Sequence, residues 1–170
     1  MAGQDINEGL NYVTYGLYIV TSADGTRKNG MIVNTVFQVT AEPARVAISV
    51  NKNSLTHEII LKGRVFAAMP LEVSTPLTFI GTFGFRTGRT FDKFARVPYQ
   101  MGVLGCPIVT EHTLSYMEAE VEQTVDVGTH TLFIGQVKEA GVLKPNGHAL
   151  TYAYYHQVIK GKTPAGATHL

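Results

Sequence analysis

The sequence predicts a mainly β protein, a closed antiparallel barrel with a few short helices, and three observations carry that prediction. Roughly seven β-branched and aromatic runs follow one another, most of the links between them are of hairpin length, and no Gly-rich strand-to-helix turn of the GxGxxG or Walker type is present to suggest a doubly wound parallel sheet. With 170 residues and 45% hydrophobic content, the chain is long enough for one buried core. It reads as a single domain, 1–170, with a core from about Tyr12 to Ile159 and a polar tail from Lys160 to Leu170.

The first run, Asn11 to Ser22, turns at Ala23-Asp24-Gly25-Thr26 and pairs as a hairpin with the next, Met31 to Thr40, which carries Asn34 and Thr35 in its middle. Polar side chains inside such a strand need a partner, and a ligand is one candidate. After the break at Pro43, Arg45 to Val50 is a near-continuous apolar run typical of a strand buried on both faces. A short helix follows through Leu61, with Asn53 or Ser54 as its cap and Gly63 as its stop. Arg64 to Met69 returns to a strand, and Thr75-Pro76 starts a second short helix that ends at Gly81 and Gly84. The segment from Phe85 to Tyr99 mixes four basic with four aromatic residues and reads as a loop. From Ser115 to Glu122 the alternation places Met117, Ala119 and Val121 on one face and Glu118, Glu120 and Glu122 on the other, a solvated stripe. Thr129 to Val137 and Ala149 to Ile159 complete the set as strands.

Composition narrows the function. Fourteen Lys and Arg against thirteen Asp and Glu leave no field to favour nucleic acid or a membrane surface, and no apolar run approaches the ~20 residues of a membrane span. The N-terminus has neither a basic nor an apolar leader region, and the single cysteine, Cys106, excludes an intrachain disulfide and fits a cytoplasmic protein. Cys106 has no charged neighbour in sequence to activate it and reads as structural. The six histidines lack HxxxH, HxH and HExxH spacing, so no metal site is expected. One point collects polar donors: Asn51, Lys52, Asn53 and Ser54 stand at a helix start, where free backbone N–H groups, a hydroxyl, amides and an ammonium suit a phosphate, although the same residues also make a plain cap. His130 and His156 lie in apolar strand patterns, where a neutral histidine bonded to backbone is the default and a place at a pocket mouth is the alternative.

Taken in order, Asn29-Gly30-Met31 to Pro43, Ala47 to Ser54 with Thr56-His57, Gly88-Arg89 with Asp92-Lys93-Phe94, and Gly128 to Val137 resemble the flavin reductase-like FMN-binding split-barrel proteins. Within that family, Thr151 to His156 followed by Lys160 to Pro164 is most similar to the flavin modules of NADH:rubredoxin oxidoreductases (high-molecular-weight rubredoxins) and to flavoredoxin-like proteins. The resemblance implies a Greek-key split barrel, a homodimer with FMN near its interface, and hydride transfer from NADH or NADPH to FMN. Electrons would pass on to rubredoxin, a flavodiiron protein, free flavin or ferric iron, and an acceptor protein would be separate because no rubredoxin domain follows. It also implies that Asn34, Thr35 and Val36 lie along the flavin, and that Asn51, Lys52, Asn53 and Ser54 hold its phosphate with His57 close by. Phe85, Arg86 and Lys93 would close over it, and His130 or His156 would stand where nicotinamide docks. Thr129 replaces the Asp of the family's Gly-Asp-His motif, so a role needing a carboxylate there does not carry over from the resemblance. Two other classes stay open: a bound-FMN electron carrier without nicotinamide oxidation, and a ligand-binding barrel without redox chemistry.

Overall fold

The computed structural model describes residues 5–164 and 166–168; Met1 to Gln4, Ala165, His169 and Leu170, including the ends of the expected tail and one of the six histidines, lie outside the described residues. Helix α1 (Ile6–Leu10) is capped by Asp5 and buries nothing. The chain then forms strands β1 (Tyr18–Ala23), β2 (Lys28–Val33), β3 (Val36–Ala41) and β4 (Ala44–Asn51), helix α2 (Leu55–Gly63) and strand β5 (Val65–Pro70). Helix α3 (Leu77–Gly84), the short strands β6 (Tyr99–Met101) and β7 (Pro107–Val109), the long strands β8 (Ser115–Asp126) and β9 (His130–Val142), and helix α4 (Tyr152–Gln157) complete it.

Seven strands form one antiparallel sheet in the order β2-β1-β5-β8-β9-β4-β3, with β6 and β7 paired separately. The β4–α2–β5 connection passes over β9 and β8, a Greek-key crossover. Two apolar clusters fill it: Phe66, Ile48, Val50, Ile60 and Phe133 belong to one, and Ile19, Met69, Ile80, Phe83 and Ile108 to the other. No helix among the described residues is long and apolar enough to cross a membrane.

Mainly β architecture with short helices agrees with the sequence, whereas several details do not. The barrel is split: β2 and β3 are the two ends of the strand order, and among the described residues no ladder joins them. The single run expected from Met31 to Thr40 is therefore two strands, broken at Asn34-Thr35, because β2 continues the β1 hairpin while β3 turns to pair with β4. The run expected from Asn11 to Ser22 is a strand only from Tyr18, and it continues through Ala23. The residue at the cap position of α3 is Pro76, not Thr75, whose hydroxyl donates to the Glu72 carbonyl.

Two corrections have clear causes. Ala149 to Ile159 is a helix at its centre rather than a strand: the Thr151 side chain caps Tyr154 N–H, and Tyr155 turns into the core, so tertiary packing overrides the β preference of the tyrosines. The glutamate stripe is also broken. Register shifts after Glu118 and Val121 interrupt the period of two, and Glu118 is 0% exposed, accepting from the backbone N–H groups of Leu104 (3.3 Å) and Cys106 (3.2 Å). Cys106 is buried beside it, and burial followed by the Glu118 charge pushes its thiol up to about 12.

Candidate functional site

The break between β2 and β3 opens into a cavity of about 870 Å³, within the range of roughly 300–1,000 Å³ usual for small-molecule and cofactor sites. Strand β2 supplies Asn29 and Met31 to Val33 and the break after it Asn34; the end of β4, the turn that follows and the start of α2 supply Ser49, Asn51 and Asn53 to Thr56. Ile80 and Phe83 of α3 and the loop after it, through Gly88 and Lys93, form a third wall, and Tyr152, Tyr155 and the tail form a fourth.

The polar end is built by local sequence. Ser54 caps α2, its hydroxyl accepting from His57 N–H (3.1 Å) and donating to the Asn51 carbonyl (2.9 Å). Asn51 folds back so that its Oδ1 accepts from Asn53 N–H (2.8 Å) and its Nδ2 donates to the Gly166 carbonyl (2.7 Å). Leu55 and Thr56, which line the cavity, belong to a first turn whose N–H groups have no intrahelical carbonyl to meet. His130, also on the wall, has Nδ1 2.8 Å from the Thr129 hydroxyl. Burial lowers its pKa and the nearby Gly166 carbonyl opposes this, so the ring favours its neutral form at neutral pH.

Asn34 carries the clearest unmet demand. It is 6% exposed, and its Oδ1 accepts from the Thr35 hydroxyl (3.1 Å). Nδ2 is left buried without a hydrogen-bond partner, which is costly unless something else accepts from it. Asn34 also lines a second cavity of about 650 Å³ with Thr35, Val36 and Phe37, so it stands in the partition between the two.

The loop wall is pinned from behind. Lys93 is 4% exposed, and its ammonium donates to the carbonyls of Gly30 (2.8 Å) and Phe83 (2.9 Å), tying β2 to the end of α3; burial lowers its pKa to about 8. Glu58 of α2 accepts from Arg89 and lies 3.7 Å from Arg27, and the Arg89 hydrogen bond holds its carboxyl below the usual range. Gly88 lies so close to the Asn29 side chain that a Cβ would collide with it, and Asn29 Nδ2 donates to the Thr56 hydroxyl (3.0 Å). Arg86 sits over the Phe91 ring at 4.6 Å.

Of the residues singled out from sequence, the cavity brings together Asn34, Asn51, Asn53, Ser54, Phe85, Arg86, Lys93 and His130. Thr35 and Val36 line the neighbouring cavity instead. Lys52 points to Asp126, Nζ to Oδ1 2.5 Å, and is not on the cavity wall. His57 lies behind the α2 cap, Nε2 2.8 Å from the Thr131 hydroxyl, and burial, then the Lys52 charge, lower its pKa. His156 stands one layer back, Nε2 3.1 Å from the Thr163 hydroxyl. Sequence reasoning assigned no role to Asn29, Phe83, Tyr152, Tyr155 or the tail residues Lys162 to Pro164; the glycine- and proline-punctuated tail was the one available signal that this segment packs against something.

Comparison with known proteins places this geometry. The chain is 50% identical over 160 residues to the high molecular weight rubredoxin of Moorella thermoacetica, covering 94% of this chain and 69% of that protein. It is 48% identical over 161 residues to the ferric-chelate reductase (NAD(P)H) of Archaeoglobus fulgidus, covering 95% of each. Among solved structures, the NADH:FAD oxidoreductase SgcE6 of Streptomyces globisporus C-1027 superposes with a TM-score of 0.76 at 23% identity, over 84% of this chain and 83% of that one, a likeness of fold. Residues 10–161 match the flavin reductase like domain, and the chain belongs to that family.

Proposed function

We propose that the chain, as one domain over 1–170, is an FMN-dependent NAD(P)H oxidoreductase that passes electrons to a small acceptor. The observation that carries the reading is Asn34 Nδ2, a buried donor without a protein acceptor on the wall of a cofactor-sized cavity. A flavin fits this demand: its ring edge offers nitrogen and carbonyl acceptors, and its phosphate suits the first turn of α2 at the other polar end. FMN, when bound, takes hydride from a nicotinamide and hands electrons on singly or in pairs.

This chain's residues bind and orient. Asn34 donates to the ring edge, Asn53 and the N–H groups of Leu55 and Thr56 take the phosphate beside the turn that Ser54 caps, and Phe83 and Phe85 screen the ring from water. His130, held neutral by burial, offers a hydrogen bond rather than a charge to a nicotinamide. No side chain is needed as an acid or base, and the catalytic contribution is positioning. Ferric chelate is the favoured acceptor, because the relative matched over 95% of its own length is named for that reaction; rubredoxin, a flavodiiron protein and free flavin are the others. The working form is a homodimer, supported by Phe37 and Val39 exposed on edge strand β3, and its compartment is the cytoplasm, in keeping with a single, buried thiol.

Stopped-flow mixing of the FMN-loaded protein with NADH, and separately NADPH, tests the reading. Loss of the visible flavin band within about one turnover time, and its return on adding a ferric chelate, is the expected result. Bleaching by dithionite but by neither nicotinamide would overturn it in favour of an electron carrier, and failure to take up FMN would leave a barrel without redox chemistry.

A further inference from the structure

The tail joins none of the strand ladders among the described residues, and its bonds go to the walls of the cavity. On one side it is fixed to α4. Gly161 N–H donates to the Tyr155 carbonyl (2.9 Å), the Tyr155 hydroxyl donates to the Lys162 carbonyl (3.0 Å), and the Thr163 hydroxyl lies 2.7 Å from that of Tyr152. On the other side its anchor is at the foot of α2, where Asn51 Nδ2 donates to the Gly166 carbonyl (2.7 Å). The described tail residues thus touch both walls, and Lys162 to Pro164 and Gly166 to Thr168 themselves line the space.

The Asn51–Gly166 contact sits at the end of the cavity where polar donors collect. Asn51 Oδ1 is committed to the Asn53 N–H, so the side chain faces the cavity as a donor, and a backbone carbonyl oxygen already takes one of its two N–H groups and stands in front of it. The same carbonyl is close enough to His130 to act on its titration. We propose that the tail is a strap and that the Gly166 carbonyl holds the place of a ligand oxygen on Asn51, so that an anionic ligand, the flavin phosphate on the reading above, enters as this latch opens. The inference rests on that reading for the ligand and on the structure alone for the latch. Flavin retention is then set by competition between the tail and the cofactor for one amide, and the latch lowers apparent affinity by the fraction of closed molecules.

Gly166 provides the test. Its φ is +84°, in the region that favours glycine, and a Cβ there would come within 2.8 Å of Asn51 Nδ2, so Gly166→Ala opens the latch without touching the core. FMN is titrated into the wild-type protein, Gly166→Ala and Thr163→Val, the last removing the Thr163–Tyr152 contact and so loosening the α4 anchor. Both variants are expected to bind FMN roughly two- to tenfold more tightly, with the gain in the association rate, the equivalent of one hydrogen bond. Equal or weaker binding by Gly166→Ala overturns the strap. In the protein without flavin, the Asn51 side-chain amide resonances should exchange slowly in the wild type and quickly in Gly166→Ala; no difference overturns the latch itself. A wild-type protein that takes up no FMN overturns the flavin reading instead, and the amide exchange still decides the latch.

Discussion

At the scale of single residues, the site divides into groups already satisfied by the protein and one that is not. Asn34 Nδ2 has no acceptor, so Asn34→Ala takes from the folded protein only the half-buried Thr35-to-Oδ1 hydrogen bond, while a ligand loses a buried donor. Asn34→Ala is expected to weaken FMN binding by about 1–3 kcal/mol and to change stability by less than about 1 kcal/mol, read by fluorescence titration and urea unfolding. Lys52 is the converse. Its ammonium is engaged by Asp126 away from the wall, and Lys52→Ala should shift FMN affinity by under about 0.5 kcal/mol, so a tenfold loss would show that the side chain swings to the phosphate. Asn34 was legible in the sequence because an amide inside a β-branched run is conspicuous, and Asn53 and Ser54 because cap chemistry is local. The partners of Lys52, His57 and His156 were not legible. Asp126 and Thr131 are 74 residues away from the first two, and only the folded sheet brings them near.

At the scale of elements, hairpins with turn residues between apolar runs were readable, since pairing of β1 with β2 and of β8 with β9 follows from neighbours in sequence. The split between β2 and β3 was not, because a two-residue break inside an apolar run carries no turn signature, and the choice of different partner strands is a long-range event. Helix α4 was missed for the same reason: its tyrosines favour a strand until Tyr155 has a core to enter. The broken alternation of β8 gives a sharp contrast. Glu118→Ala leaves one buried and one half-buried N–H group unpaired and a void, and should cost about 2–4 kcal/mol in urea unfolding. Glu120→Ala, two residues on and exposed, should stay within about 0.5 kcal/mol.

At the scale of the whole molecule, the titrating groups set a stability curve. Asp24, whose carboxyl accepts first from Arg27 N–H, and Glu58, Glu72 and Asp126 all lie below the ordinary carboxylate range, so their contribution is present above about pH 4 and lost as pH falls through their folded values. His57 and His130 are lowered by burial, so the unfolded chain binds more protons below about pH 6.5 and stability declines there too. Lys93, at about 8 when folded, adds stability as pH rises from 8 towards its ordinary value. Tyr18, Tyr155 and Cys106 are raised by burial, so their contribution is present below their ordinary values and lost above them. The melting temperature is therefore expected to climb from pH 5 to about pH 7, to stay high to about pH 9 and to fall beyond about pH 10, and calorimetry at half-unit intervals checks it; a maximum below pH 6 would contradict the assignment. Cys106 has a further use. Because the lone thiol is sealed beside Glu118 and resists deprotonation, a thiol-reactive dye reaches it only when the sheet opens, and the labelling rate under native conditions becomes an internal clock for opening that needs no engineered probe.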